Sequence, residues 1–148
     1  MLAGLDEHSE ALDAVATFEF DCLDISKAIG RENTFPMIVF KIMNDLPQSN
    51  APVLINNDKL IHFLGDIRKG YRSDVGYHND LHGADVAQVM YLFIKHGNLD
   101  TLAQLNYLDM VSAITACAVH DFDHDGFNNA YHVNFVTSRA LRYHDKAV

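Results

Sequence analysis

The chain is predicted to be all-α, a compact multi-helix domain. Three observations predict this. Apolar residues recur at i, i+3 and i+4 in several segments. Those segments are punctuated by Asn, Asp or Thr at their starts and by Gly or Pro at their ends. No stretch shows convincing strand alternation, an internal repeat or low complexity. The 148 residues suit one domain with a real core. A content of 49% apolar and 21% charged residues is ordinary for a soluble globular protein.

Residues 1–17 are mixed and acidic, with a short helix through Leu12, Val15 and Ala16, and are expected to extend ahead of a domain over 18–148. A second helix is predicted from Phe18 to Ile29, ended by Gly30. Asn33 or Thr34 caps a third, with Pro36 in its first turn and Met37, Val39, Phe40, Ile42 and Met43 buried. It ends before Pro47, and residues 48–52 (QSNAP) form a loop. A fourth helix fits Asp58 to Lys69, capped by Asn57, with Leu60, Ile61, Leu64 and Ile67 inward and Gly70 closing it. The fifth runs from about Leu81 to His96 and stops at Gly97. The sixth covers Leu105 to Val119; its second half is almost wholly apolar, which predicts a central position. Short helices follow near Asn129 to Phe135 and Ser138 to Tyr143.

The net charge of −9, without a Lys or Arg block, repels phosphate backbones and argues against nucleic acid as a partner. A small anion stays compatible if metals supply local positive charge. Cys22 and Cys117 sit in apolar helical patterns without CxxC spacing, so reduced core thiols are expected. MLAGLDEHSE lacks the basic flank and apolar run of a signal peptide. No stretch approaches bilayer length. A cytoplasmic protein without a membrane span is the expectation.

Chemistry concentrates in two segments. Ala118 to Asn129 reads AVHDFDHDGFNN: His120 and Asp121 are adjacent, and His124 follows. Upstream, YHNDLHGADV holds His78 and His82. On a helix, i+4 spacing puts both imidazoles on one face. An adjacent His-Asp pair offers a neutral nitrogen and a carboxylate, a donor set for a borderline metal with a harder neighbour. Structural use is the alternative, with the histidines at a helix end and Asp121 or Asp123 capping the next helix. His8, His62, His96, His132 and His144 stand alone and are expected on the surface or in packing. HExxH is absent, which argues against a zincin peptidase, and Cys22 and Cys117, with no CxxC spacing, do not form a zinc finger. Gly83 and Gly126 would let backbones approach closely. Asp85 and Asp109 either orient imidazoles or are exposed helix charges.

Residues 77–86 (YHNDLHGADV) together with 120–129 (HDFDHDGFNN) resemble the catalytic domain of class I cyclic nucleotide phosphodiesterases. Those enzymes belong to the HD phosphohydrolase superfamily. FEFDCLDISKAIG looks like that family's early helix, and Leu141 to Asp145 like the segment after its HD motif. The resemblance covers nearly everything from Phe18 onward.

It implies metal-dependent hydrolysis of 3′,5′-cyclic nucleotides (cyclic AMP, cyclic GMP or both) to 5′-monophosphates in signal transduction. The nucleophile would be a metal-bridged hydroxide. His78 aligns with the general acid that protonates the departing ribose O3′. His82, His120 and Asp121 align with metal ligands, Asp121 bridging a zinc site and a magnesium or manganese site. His124 aligns with a histidine near the second metal's waters, and Tyr77 and Asn129 with residues lining the substrate pocket. Residue types agree with that chemistry: a metal lowers the pKa of water, and a histidine can deliver a proton at neutral pH.

Gly83 departs from an alanine usual in the family, and Asp125 from proline or threonine. Asp125 either adds negative charge near the metals or points to solvent. The resemblance implies only the N-terminal part of the domain. A water-orienting glutamate, a further metal-binding aspartate, and a glutamine and aromatic residue that clamp the nucleobase would lie beyond Val148. Apolar faces of the fifth and sixth helices would then be bare, predicting low stability, aggregation or pairing as a homodimer. The alternatives are a catalytically incomplete metal-binding or regulatory fragment, or another HD-type nucleotide phosphohydrolase.

Overall fold

Several helices begin where a side chain satisfies free backbone N–H groups, and some begin away from their predicted starts for that reason. The computed structural model describes residues 9–48, 54–143 and 146. Helix α1 (Ser9–Asp13) runs into a 3-10 turn (Ala14–Ala16). Leu12 and Val15 are buried in the core, so this segment packs with the helices that follow. Helix α2 (Cys22–Ile29) starts four residues later than predicted, because the Asp21 carboxylate accepts from the Leu23 and Asp24 N–H groups. Phe18 stays outside and exposed.

Gly30, at φ +86°, turns the chain straight into α3 (Arg31–Asp45). Asn33 and Thr34 therefore do not cap it. Their side chains donate back to the carbonyls of Ile29 and Gly30. Pro36 lies inside the helix rather than in its first turn, and its missing N–H leaves one i→i−4 bond unmade. All five apolar residues expected inward are buried. Helix α4 (Asn57–Gly70) is capped by Asn56, not Asn57. Leu60, Ile61 and Leu64 are buried and Ile67 is half-buried.

Helix α5 (Asp80–Lys95) is the hub, packing most heavily on the later helix Tyr107–Val119 and then on α3. The predicted sixth helix is α7 (Tyr107–Val119), which starts two residues later than expected, and a short helix that the sequence reading did not predict, α6 (Leu99–Leu102), precedes it. Asn106 and Asp109 form a capping box that sets the start of α7, so Asp109 is an exposed helix charge spent on the cap rather than on an imidazole. Despite its apolar sequence α7 is not central. It buries one face only (Tyr107, Met110, Ile114, Ala118), and Leu108 is exposed. Val89 and Phe93 of α5 are exposed as well. Two short helices, α8 (Asn129–Asn134) and α9 (Ser138–Tyr143), complete the described chain. The described residues contain no strand, as the all-α expectation requires.

Asp80, at the start of α5, is buried. It pairs with both guanidinium nitrogens of Arg31 on α3 and lies 3.7 Å from Arg68 on α4. Three helices are thereby pinned beside the N-terminus of α5. Both thiols are free; burial pushes Cys22 up to about 12, and Cys117 is half-buried. Among the described residues no helix is long and apolar enough to cross a membrane.

Candidate metal centre

The N-terminal end of α5 meets the C-terminal end of α7, which brings the two histidine motifs together. Gly83 makes this approach close. A Cβ there would lie 2.8 Å from the Ala118 carbonyl oxygen and 2.8 Å from the Tyr71 hydroxyl. Buried Tyr71 donates to that same carbonyl at 2.8 Å, and so steadies the last turn of α7. Gly126 serves differently, adopting φ +85° in the loop after α7.

His78 and His82 converge, though not as two residues on one helix face. His78 precedes α5, and Asn79 ties the turn to the helix. The Asn79 side chain accepts from the Leu81 and His82 N–H groups and donates to the carbonyls of Val75 and Gly76. His120 caps the end of α7, and His124 lies in the loop beyond it.

The cluster centres on one atom. Asp121 Oδ2 accepts from His78 Nδ1 at 2.7 Å and lies 3.2 Å from His120 Nε2 and 3.4 Å from His82 Nε2. The two Nε2 atoms are 3.3 Å apart. Burial pushes the Asp121 carboxyl up, but the His78 hydrogen bond and the neighbouring histidines outweigh it and hold the group below the ordinary range. Burial and the nearby His120 push the His82 pKa down, favouring the neutral ring a ligand needs.

These residues fit a metal. The Cys117 carbonyl, 2.7 Å from His120 Nδ1, can only accept, so Nδ1 carries the hydrogen and Nε2 the lone pair. Ligand atoms held about 2.0–2.1 Å from a tetrahedral ion stand about 3.3–3.4 Å from one another. The His82, His120 and Asp121 atoms match that spacing. His78, His82 and Asp121 form an overlapping set, with donor atoms all within 4.8 Å of one another. His82 and Asp121 are common to both.

The other predicted residues surround this core unevenly. His124 stacks on His78, with ring centroids 4.1 Å apart and planes 21° apart. The exposed Tyr77 ring lies 4.4 Å from the His82 ring. Asn129 is the exposed first residue of α8 and makes no side-chain hydrogen bond to the cluster. Asp85 makes no hydrogen bond to an imidazole. It lines a cavity of about 480 Å³ with Phe20, Asp21, Cys22, Tyr77 and His82. Asp125 points neither at the clustered histidines nor into solvent, but at His132 and Arg139. Among the lone histidines, His62 is exposed, His96 reaches the Ala16 carbonyl and His132 is buried. His8 and His144 fall outside the described residues. The supporting roles of Tyr71 and Asp80 carried no separate signal in the sequence, since each depends on partners supplied by the fold, whereas Asn79, an asparagine just ahead of a helix with only local partners, is a cap that the sequence reading missed.

The model of the 3′5′-cyclic nucleotide phosphodiesterase family matches residues 77–148, which hold both histidine motifs. The chain is 31% identical over 128 residues to the rat 3′,5′-cyclic-AMP phosphodiesterase 4C, covering 85% of this chain and 23% of that protein. It is 31% identical over 138 residues to the Dictyostelium discoideum 3′,5′-cyclic-nucleotide phosphodiesterase regA, covering 92% of this chain and 16% of that one. The Drosophila melanogaster high affinity cGMP-specific 3′,5′-cyclic phosphodiesterase 9A shares 40% over 88 residues, 60% of this chain and 6% of that one. The chain thus spans less than a quarter of the length of these relatives. With both motifs matched and their side chains converging on one carboxylate, the chain matches the 3′5′-cyclic nucleotide phosphodiesterase family over residues 77–148.

Proposed function

We propose that this chain supplies the metal-binding and proton-donating side of a site that hydrolyses 3′,5′-cyclic nucleotides to 5′-monophosphates. The convergence of His82, His120 and Asp121 at ligand spacing, with His78 on the same carboxylate, carries this reading. The relatives' names cover cyclic AMP, cyclic GMP and cyclic nucleotides in general, so the substrate is either cyclic nucleotide.

In this reading His82, His120 and Asp121 hold a zinc ion, and Asp121 also serves a magnesium or manganese ion. When bound, these cations supply activated water at neutral pH and positive charge for the phosphate. His78 donates through Nδ1 to Asp121, which leaves its proton for the departing O3′ at Nε2, across the ring. His124 braces the ring of His78. Tyr77 and Asn129 line the substrate pocket. The domain spans residues 18–148 with 1–17 as an extension, works in the cytoplasm, and pairs as a homodimer through its exposed apolar faces.

The test is hydrolysis of both cyclic nucleotides by the chain, with zinc plus magnesium or manganese, beside a His78→Ala control. Turnover that disappears with His78 supports the reading. Metal binding that is lost in Asp121→Ala, without turnover in the parent chain, would instead make this a metal-binding module. A chain that binds no metal would overturn both.

A further inference from the structure

Asp125 follows His124, yet its carboxylate turns away from the histidine cluster. Oδ1 accepts from the Phe127 N–H at 3.1 Å. Oδ2 lies 3.1 Å from Arg139 on α9 and 3.2 Å from His132 Nε2 on α8. His132 is buried, and its Nε2 makes no well-aligned hydrogen bond. Asp125, off the ideal line, is the acidic group that answers it. The other ring nitrogen of His132 lies 3.1 Å from Thr137 Oγ1. A single carboxylate thus joins two helices to the loop behind α7. An exposed ion pair alone is worth little, but Asp125 is only 16% exposed and takes three partners.

The rest of that loop has contacts of its own. Its turn is closed by the His124 N–H on the Asp121 carbonyl and the Gly126 N–H on His124 Nδ1. Phe122 and Phe127 are each 48% exposed; Phe122 packs edge-on against Tyr71 and Phe127 stacks on Tyr131 of α8. His124 therefore sits between two fastened points, Asp121 on His78 and Asp125 on His132 and Arg139. We propose that Asp125 is a positioning residue: through His132 and Arg139 it fastens the loop so that the His124 ring stays stacked on His78. It touches neither the metal-binding atoms nor His78 itself. Its effect on the cluster passes through His124.

This inference rests on the hydrolytic reading only for its consequence in turnover, so the test reads the stack itself. Stacked rings shift each other's protons upfield, a signature that a merely stabilising ion pair would not move. NMR of the histidine ring protons would compare the whole chain, without metal and at one pH, with Asp125→Ala, Arg139→Gln and Arg139→Lys. Downfield movement of the His78 and His124 resonances is expected in Asp125→Ala, and less in Arg139→Gln. Arg139→Lys should restore the parent positions, while His62 and His96 stay put. Unchanged His78 and His124 resonances in folded Asp125→Ala, or in Arg139→Gln if the alanine variant does not fold, would overturn the proposal. Turnover with an unmoved stack would sink the clamp and leave the hydrolase. A moved stack without turnover would do the reverse.

Discussion

Gly83 and Gly65 both lie inside helices, and adding one methyl to each should shift stability in opposite directions. An alanine in a helix interior is favoured over glycine by about 1 kcal/mol. At Gly65, on α4, nothing lies within 4 Å of an added Cβ, so Gly65→Ala should gain most of that. At Gly83 the Cβ would meet the Ala118 carbonyl oxygen and the Tyr71 hydroxyl, each at 2.8 Å. The carbonyl is backbone and cannot swing aside. Overpacking of this kind costs about 1–3 kcal/mol. Displacing Tyr71 would also weaken its buried hydrogen bond to Ala118, worth about 1 kcal/mol. Together these give roughly 2–4 kcal/mol of cost against 1 of gain, a net loss of about 1–3 kcal/mol for Gly83→Ala. Urea denaturation of the two variants beside the parent chain measures both signs. The same methyl should push α5 from α7 and weaken zinc binding, because His82 rides on one helix end and His120 on the other. Gly83→Ala as stabilising as Gly65→Ala, with zinc affinity unchanged, would refute the close approach.

Asp80→Ala should destabilise the chain by about 2–3 kcal/mol in the same denaturation assay. Breaking a fully buried ion pair costs somewhat more, but Arg31 is 41% exposed and recovers some hydration. Asp125 makes a pH prediction. Burial pushes its carboxyl up, but the Phe127 N–H, Arg139 and His132 outweigh that and hold the pKa below the ordinary carboxylate range. A folded pKa below the unfolded one gives stability that is complete above the unfolded value and lost as pH falls through the folded one. The stability difference between the parent chain and Asp125→Asn should therefore be flat near neutral pH and shrink below about pH 4. A difference that grows as the pH falls would contradict the ion-pair assignment.

Much of the candidate site was legible because it rests on residue type and short spacing. The pairs His78 and His82, His120 and Asp121 stand out in any reading, and they do converge. The mechanism inferred from spacing was only partly right. His78 and His124 lie in turns, so tertiary contact, not a shared helix face, aims them. Helix starts were missed where a cap competed with an equally plausible neighbour: Asn56 beside Asn57, Asp21 downstream of Phe18.

By itself the sequence determined what is local. Apolar periodicity made the chain helical, glycine set two backbone conformations, and the motifs supplied nitrogen and carboxylate donors. The tertiary structure decided everything that needs a remote partner. It turned Asp125 towards His132 and Arg139, spent Asp109 on a cap and left one side of α7 open. It also set two Nε2 atoms and one carboxylate oxygen about 3.3 Å apart. The physical reason is range. A cap or a turn is settled within a few residues, whereas the direction of a charged side chain depends on which opposite charge the packing of distant helices delivers to it.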